Sequence, residues 1–387
     1  MKNDRRLIRV LILLIPVVVV LVTCVGALLL WMAPGAVSSQ VQTTYTHESS
    51  TPPNILLLIA DDVGVDKINT YAGDADPDYR KDADFLPQTP TIDSLAASGL
   101  RFTDAWANPK CSPTRAAVYS GRYGFRTGIG TALGPPGQDD LDPDMVTTVA
   151  EMLAEEGYTS SMVGKWHLGE GEVPSDWSDG ESWVDHLDSP AAISLTPREH
   201  GWDNFAGTLT GELDTDGSGS YNNWLRVTTL GSEVVANEET TYATEQAVND
   251  GLAWVARQDG PWMLTMAFHA PHSPLEAPDS DCMISEDSEL SSDLAVYRAM
   301  LECLDLNIAD MLAGLEELGD LDDTLIFFIG DNGTDAAVAE DSFDDDRGKG
   351  TLYESGVRVP LIVADGRTWM SQQDDFIPGP DWFRSPA

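Results

Sequence analysis

Short apolar runs that end directly in polar residues constrain the fold of this chain more than any other feature of its sequence. Residues 54–60 are apolar after their first asparagine, which is typical of a strand buried on both faces of a parallel sheet. Comparable runs predict further strands, and these lie at 159–163, 262–268, 324–329 and 357–363.

Helices are predicted between these strands, where apolar residues recur at helical spacing and glycine or proline marks an end. The predicted helices cover 90–98, a segment starting near 112–113, 147–156, 244–258 and 294–318. Residues 170–223 are rich in Gly, Ser, Asp and Trp and are predicted to form loops. The alternation of strands and helices predicts an α/β fold, a mostly parallel sheet sandwiched by helices.

Polar motifs follow four of the predicted strands at the point where each strand ends. These motifs are Asp61-Asp62, Lys165-Trp166-His167, His269-Ala270-Pro271-His272 and Asp331-Asn332-Gly333. In an open α/β sheet the ligand crevice lies beyond the carboxyl ends of the strands. We therefore expect the four motifs to line one site.

The hard oxygen donors in these motifs form a candidate metal site. They are Asp61, Asp62, Asp331 and Asn332. Three carboxylates and one amide suit Ca²⁺ or Mg²⁺ better than zinc. A bound divalent cation would stabilise negative charge on a substrate oxygen.

The segment from Cys111 to Arg122 joins a cysteine to a proline, to an arginine four residues on, and to a trailing Ser-Gly-Arg. A buried cysteine at the start of a helix is the plain structural interpretation. The functional interpretation is that this segment is a signal for modification of the cysteine and also part of an active site. The helix start would add a positive dipole end that faces an anion.

The ordered motifs resemble those of the type I sulfatases, which belong to the alkaline-phosphatase-like superfamily. The resemblance covers residues 54–363. Besides the acidic pair, it is carried by C-x-P-x-R at 111–115, G-K-W-H-L-G at 164–169, A-P-H at 270–272, D-N-G at 331–333 and G-K-G-T-x-Y-E at 348–354.

The resemblance implies the hydrolysis of sulfate monoesters to an alcohol and inorganic sulfate. Cys111 would be oxidised to formylglycine (3-oxoalanine) by a formylglycine-generating enzyme, and the aldehyde hydrate would be the nucleophile. The second hydroxyl of that hydrate allows sulfate to leave without a second attack on sulfur.

The resemblance also implies a role for each matching residue. Asp61, Asp62, Asp331, Asn332 and the modified Cys111 would hold a cation, Ca²⁺ rather than Mg²⁺. Arg115 would hold the hydrate, and Lys165 and Lys349 would bind sulfate oxygens. His167 would take a proton from the hydrate. His272 would contact the leaving oxygen, with Lys349 as a candidate acid.

The chain departs from the family pattern at two points, and two alternative functions stay open. Ser355 replaces a glycine, and only residues 364–387 follow the last predicted strand, so the C-terminal subdomain of the family is expected to be missing or truncated. The alternatives are a phosphoester or phosphonate hydrolase of the same fold, and an inactive, membrane-tethered, truncated relative.

The N-terminus predicts export. Basic residues precede an apolar run at 10–31 that is long enough to span a bilayer. We expect residues 1–35 to be a membrane anchor on the periplasmic or extracellular face, or a cleaved signal peptide of a secreted protein. Residues 36–53 would be a linker, and 54–387 the catalytic domain.

Charge and cysteine content limit the partners and the compartment. A net charge of -42, with 64 acidic residues, excludes nucleic acid as a partner. We expect a sulfated small molecule or carbohydrate as the substrate. In an oxidising compartment Cys282 and Cys303 are able to pair, but their spacing does not establish a disulfide.

Overall fold

The computed structural model describes residues 52–71, 86–134, 140–169, 196–213, 219–285, 290–339 and 347–372. The predicted anchor or signal peptide at 1–35 lies outside these residues, as does nearly all of the linker. Across the described ranges, no helix combines the length and apolar character needed to cross a membrane.

A mixed nine-stranded sheet forms the centre of the described fold. Its strands are β1 Asn54–Ala60, β2 Leu100–Phe102, β3 Thr159–Lys165, β4 Asn204–Thr208, β5 Trp224–Leu230, β6 Glu233–Glu239, β7 Trp262–Ala267, β8 Thr324–Gly330 and β9 Leu361–Asp365. They lie in the order β2-β9-β8-β1-β7-β3-β4-β5-β6. The central strands from β8 to β4 are parallel, whereas β9, β2, β5 and β6 pair antiparallel at the two sides.

Helices connect the strands as the sequence predicts. They are α1 Pro90–Ser98, α2 Cys111–Ser120, α3 Gly124–Thr127, α4 Val149–Glu155, α5 Ala243–Val255, α6 Asp293–Leu318, α7 Glu354–Val357 and α8 Gly366–Gln372. A capping box fixes the start of α4, because Thr148 accepts from the Glu151 amide and Glu151 accepts from the Thr148 amide. The α/β class is confirmed.

Both faces of the sheet are covered, as the residues of β1 show. Leu56 and Leu58 belong to one buried cluster, which also holds residues of α5 and α6. Leu57 and Ile59 point the other way and pack in a second cluster with Trp166. Because side chains alternate along a strand, a strand buried on both faces needs apolar residues at every position.

Two connecting regions differ from the sequence prediction. Residues 357–363 were expected to form one strand, but α7 ends at Val357 and β9 begins only at Leu361. Pro360 has no amide hydrogen to donate to a ladder, and the Val359 amide bonds to the Ala105 carbonyl at 3.1 Å instead. Within the predicted loop region 170–223, the described residues include strand β4.

Cys282 and Cys303 form a disulfide, which the sequence left open. Cys303 is buried within α6, and Cys282 lies in the segment before that helix. The bond therefore ties this segment to the helix that packs beneath the sheet.

Candidate active site

The acidic motifs meet because β1 and β8 are parallel neighbours in register. Ala60 pairs with Gly330, so Asp61 and Asp331 leave the sheet side by side. The Asp331 amide donates to the Ala60 carbonyl at 3.1 Å. The Asp62 amide donates to Asp331 Oδ1 at 3.3 Å. The carboxyl end of the sheet thus gathers three buried aspartates, as predicted.

Helix α2 brings Cys111 and Arg115 to the same place. Cys111 is its first residue, and Arg115 lies one turn later on the same side of the helix. The Arg115 Nε and Nη2 atoms donate to Asp331 Oδ2 at 3.0 and 2.8 Å. Its Nη1 donates to the Lys165 carbonyl at 2.6 Å. Arg115 is therefore held by its own ion pairs and fully buried.

Two lysines complete the charged cluster. Lys165 Nζ lies 2.5 Å from Asp61 Oδ2, and both side chains are fully buried. Lys349 Nζ lies 2.5 Å from Asp62 Oδ1. The same oxygen accepts a hydrogen bond from Asn332 Nδ2 at 2.7 Å. Lysine and aspartate side chains are rarely this buried unless they are paired.

The pKa values of the three aspartates are shifted in different directions. Burial raises the pKa of Asp62 to about 6, with the Asp61 charge adding to the effect. Burial and the Asp61 charge likewise raise the pKa of Asp331 to about 6. For Asp61, burial alone would raise the pKa, but Lys165, His272 and Arg115 outweigh it and the pKa falls well below its usual value.

A divalent cation fits this donor set. Asp61 Oδ1 and Asn332 Oδ1 are buried oxygens without a hydrogen-bond partner among the described residues. Ligand atoms of Asp61, Cys111 and Asp331 lie within 4.8 Å of one another. Asp61, Asp62 and His272 form a second such group. Crowded carboxylates that raise each other's pKa are stabilised by a hard cation.

His167 lies two residues after the end of β3, in a left-handed backbone conformation with φ of 56°. Its Nε2 atom is 3.0 Å from the Leu133 carbonyl oxygen, which only accepts, so this nitrogen carries the proton. The Nδ1 atom is buried and has no partner within the described part of the chain. Burial and the Lys165 charge lower the pKa of His167 well below its usual value, so Nδ1 offers a lone pair.

His272 is fixed by its own loop. Its Nδ1 atom lies 2.6 Å from the Ser273 carbonyl oxygen, which leaves Nε2 facing Asp62 Oδ2 at 3.9 Å. Burial and the Lys165 charge lower the pKa of His272 to about 4. His269, by contrast, is buried with its Nε2 atom 2.8 Å from Thr208 Oγ1, and this contact supports a structural place for it.

The unmodified Cys111 thiol is a poor nucleophile in this site. It is the one free cysteine of the described residues, and its residue is 1% exposed. Burial raises its pKa, and the neighbouring aspartates add to that effect. Since the thiolate is the reactive form of cysteine, the buried thiol itself is poorly suited to attack a substrate.

Several supporting contacts carry no sequence signal. The Tyr297 hydroxyl, on α6, donates to the Asp62 carbonyl at 2.7 Å. Gly211 lies against the His167 ring, where a Cβ atom would be 2.5 Å from His167 Cε1. The Leu133 carbonyl was equally unforeseen, because each of these contacts joins segments far apart in the chain.

Comparison with known proteins agrees with this geometry. The family model named Sulfatase matches residues 53–383, and the chain belongs to that family. Human arylsulfatase A is 29% identical over 321 residues, which cover 81% of this chain and 59% of that protein. Human N-acetylgalactosamine-6-sulfatase is 29% identical over 81% of this chain and 56% of its own length.

Solved structures show the same fold. The crystal structure of Ps i-CgsB is 26% identical, with a TM-score of 0.60, and the match covers 81% of this chain and 66% of that one. The same protein has been solved in complex with k-i-k-neocarrahexaose. This chain spans between 48% and 59% of the length of the arylsulfatases and N-acetylgalactosamine-6-sulfatases that it matches.

Proposed function

We propose that this protein hydrolyses sulfate monoesters to an alcohol and inorganic sulfate. The observation that carries the proposal is the position of Cys111, at the start of α2 and within one buried cluster with Arg115, Lys165 and Lys349. Membership of the sulfatase family supports it. A sulfate ester carries a negative charge that repels nucleophiles, and this cationic cluster offsets that charge.

Cys111 is the residue that maturation would change. The C-x-P-x-R motif at 111–115 supports oxidation to formylglycine by a formylglycine-generating enzyme. Once formed, the aldehyde supplies a hydrate as nucleophile together with a second hydroxyl that allows sulfate to leave. Arg115 lies one helical turn away, where its guanidinium is fixed by Asp331 and orients the modified side chain.

Ca²⁺ is the cation that the donor set suits best. It would be held by Asp61, Asp62, Asp331 and Asn332, with the modified Cys111 beside them. When bound, it neutralises charge on a sulfate oxygen. The donors are hard oxygens, and three carboxylates with one amide suit calcium better than magnesium, which usually keeps several waters and takes only one or two carboxylates.

We assign proton transfer to two histidines and a lysine. His167 Nδ1 has a free lone pair and would take a proton from the nucleophile. His272 Nε2 faces the acidic pair and would contact the leaving oxygen. Lys349 is held charged, because Asp62 raises its pKa although burial alone would lower it, and it would bind sulfate or protonate the leaving oxygen.

We also propose that the protein is exported. The basic and apolar N-terminus supports this, and so does the Cys282–Cys303 disulfide, because such bonds persist in oxidising compartments. Residues 1–35 would then be either a membrane anchor or a cleaved signal peptide.

Turnover of matched esters tests the proposed reaction. Protein made with a formylglycine-generating enzyme and loaded with Ca²⁺ is expected to cleave an aryl sulfate in preference to the corresponding aryl phosphate. Cys111→Ala should abolish turnover while its thermal unfolding stays close to that of the unchanged protein. Preferred cleavage of the phosphate would instead support a phosphoester hydrolase of the same fold.

A further inference from the structure

Large apolar side chains are exposed on one side of the candidate active site. Leu352 is 83% exposed, Phe125 81% and Tyr123 76%, and Trp106 and Tyr353 are also more than half exposed. Most exposed apolar residues of a soluble protein occur singly. These five belong to three chain segments, so their positions relative to one another decide whether they form one surface.

The three segments adjoin next to Cys111. The Gly350 amide, in the loop that carries Lys349, donates to the Pro109 carbonyl at 2.7 Å. Gly124, the first residue of α3, lies beside Asn108, since a Cβ atom there would be 3.9 Å from Asn108 Oδ1. Residues 106–110 therefore run between the α3 segment and the loop after Lys349, and they lead directly into Cys111.

The segment that carries Trp106, Tyr123 and Phe125 also differs in charge from the rest of the chain. The net charge is -42, yet residues 105–138 contain no aspartate or glutamate. The same stretch holds Lys110, Arg115, Arg122 and Arg126. Arg115 is buried in the active site, whereas Arg122 and Arg126 are exposed. An exposed basic surface on so acidic a protein indicates an anionic ligand.

The exposed rings are arranged as flat faces. Tyr123 and Phe125 stack at 5.9 Å between ring centroids with an angle of 9° between their planes. The Arg126 guanidinium lies 5.9 Å from the centre of the Phe125 ring. Aromatic faces pack against flat apolar groups, such as the faces of sugar rings, and guanidinium groups bind anionic oxygens.

We propose that this arginine–aromatic face (Trp106, Arg122, Tyr123, Phe125, Arg126, Leu352 and Tyr353) binds a sulfated polysaccharide next to the reacting ester. Sugar rings would stack on the aromatic residues, and further sulfate groups would contact Arg122 and Arg126. The inference rests on the proposed sulfatase function and specifies its substrate class.

Direct binding tests the face without relying on turnover. Fluorescent dextran sulfate is titrated with the full-length protein in a chelating buffer, so that divalent cations cannot bridge the polymer to acidic groups. The unchanged protein should bind it more tightly than neutral dextran. The double variant Arg122→Glu/Arg126→Glu should bind roughly tenfold more weakly. Each substitution removes one surface attraction to sulfate and replaces it with a repulsion.

Matched controls make the result specific. Arg257→Glu changes an exposed arginine near the amino end of β7, away from the site, and should alter binding by less than about twofold. Phe125→Ala should weaken binding, whereas Met152→Ala, at another exposed apolar residue, should not. Equal losses in Arg257→Glu, or unchanged binding in the double variant, would overturn the proposal.

Kinetics separate this inference from the proposed function. The double variant should raise KM for a sulfated polysaccharide by a larger factor than it raises KM for a small aryl sulfate, which lacks contacts with the face. If the protein cleaves neither ester, the sulfatase proposal fails. The binding experiment still shows whether the arginine–aromatic face binds a sulfated polymer. A dimer that Phe125→Ala dissociates in sedimentation velocity would also overturn the inference, since a second copy would then cover the face.

Discussion

Two residues of the site, Asp62 and His167, adopt left-handed backbone conformations with φ of 65° and 56°. Such conformations cost about 1–3 kcal/mol in residues other than glycine and persist only where neighbours hold them. At Asp62 the neighbours are identifiable. Its amide donates to Asp331 Oδ1 at 3.3 Å, and its carbonyl accepts from the Tyr297 hydroxyl at 2.7 Å.

Tyr297→Phe should therefore weaken cation binding. The variant leaves the Asp62 carbonyl without its donor, which costs about 1–3 kcal/mol, and lets the carboxylate shift. We expect Ca²⁺ affinity, measured by calorimetric titration, to fall roughly tenfold, as is typical when a group that orients a ligand is lost. Tyr158→Phe is the control, because it removes a similar bond to the Pro53 carbonyl, at 2.6 Å, near the amino end of β1. Equal affinities in the two variants would contradict a positioning role for Tyr297.

Gly211→Ala should displace the ring of His167. The added Cβ atom would lie 2.5 Å from His167 Cε1 and 2.7 Å from Nε2, which is too close for any side chain. We expect kcat for an aryl sulfate to fall roughly 100-fold with little change in KM, since small displacements of a catalytic group have such effects. Gly130→Ala is the matched control, because its Cβ would meet nothing within 4 Å. The same kcat in both variants would show that His167 has no part in the reaction.

The residues of the candidate site could be predicted from the sequence, but the residues that hold them in position could not. Asp61, Asp331 and His167 each follow a recognisable strand, and the carboxyl ends of parallel strands meet at one edge. Tyr297 and Gly211 occur in segments without a motif. Their importance depends on which atoms the fold brings to within 3 Å, and local sequence does not record that.

At the scale of elements, α6 supports α1 through a buried carboxylate. Asp305 accepts hydrogen bonds from the amides of Thr91 at 3.0 Å and Ile92 at 2.8 Å, in the first turn of α1. The N-cap residue of α1, Thr89, makes no side-chain capping bond. A residue distant in sequence thus supplies the acceptors that a helix start requires.

Stability should fall with rising pH because of Asp305. Burial raises its pKa to about 7, so the folded state binds the proton more tightly than the unfolded chain does. The contribution of this group is fully present below about pH 4 and is lost as the pH rises towards 7.

Asp305→Asn removes that titration and one of the two acceptors. It should lower the free energy of unfolding and make it less dependent on pH, as measured by urea denaturation at about pH 5 and about pH 7.5. If the variant and the unchanged protein lose the same stability over that interval, another group is responsible.

The elements that sequence predicts best are those buried on both faces. The strands β1, β7 and β8 lie where continuous apolar runs place them, since burial on both faces requires such runs. The hairpin β5–β6 was missed. Its sequence mixes Thr, Arg and Glu with apolar residues, so it shows neither a continuous apolar run nor a clear alternation.

At the scale of the whole molecule, the antiparallel sides of the sheet were beyond prediction. The direction of β9 and β2 depends on how the chain returns after Pro360 and around α1, not on any periodicity of their residues. The α/β class itself was predictable, because alternating strands and helices leave few other arrangements that bury both faces.

The distribution of charge also becomes visible only in the whole fold. Acidic residues outnumber basic ones 64 to 22, and at the carboxyl ends of the central strands Arg115, Lys165 and Lys349 each pair with a buried aspartate. If the proposed function holds, an anionic substrate would be repelled by most of the surface and attracted by the exposed Arg122 and Arg126.

The most direct test of the account is the mass of the peptide that carries Cys111. The protein is produced with a formylglycine-generating enzyme, beside an established sulfatase as a control for conversion. We predict that the thiol of Cys111 is replaced by an aldehyde that an aldehyde-specific reagent labels. An intact thiol, in a preparation where the control sulfatase is converted, would contradict the proposed mechanism.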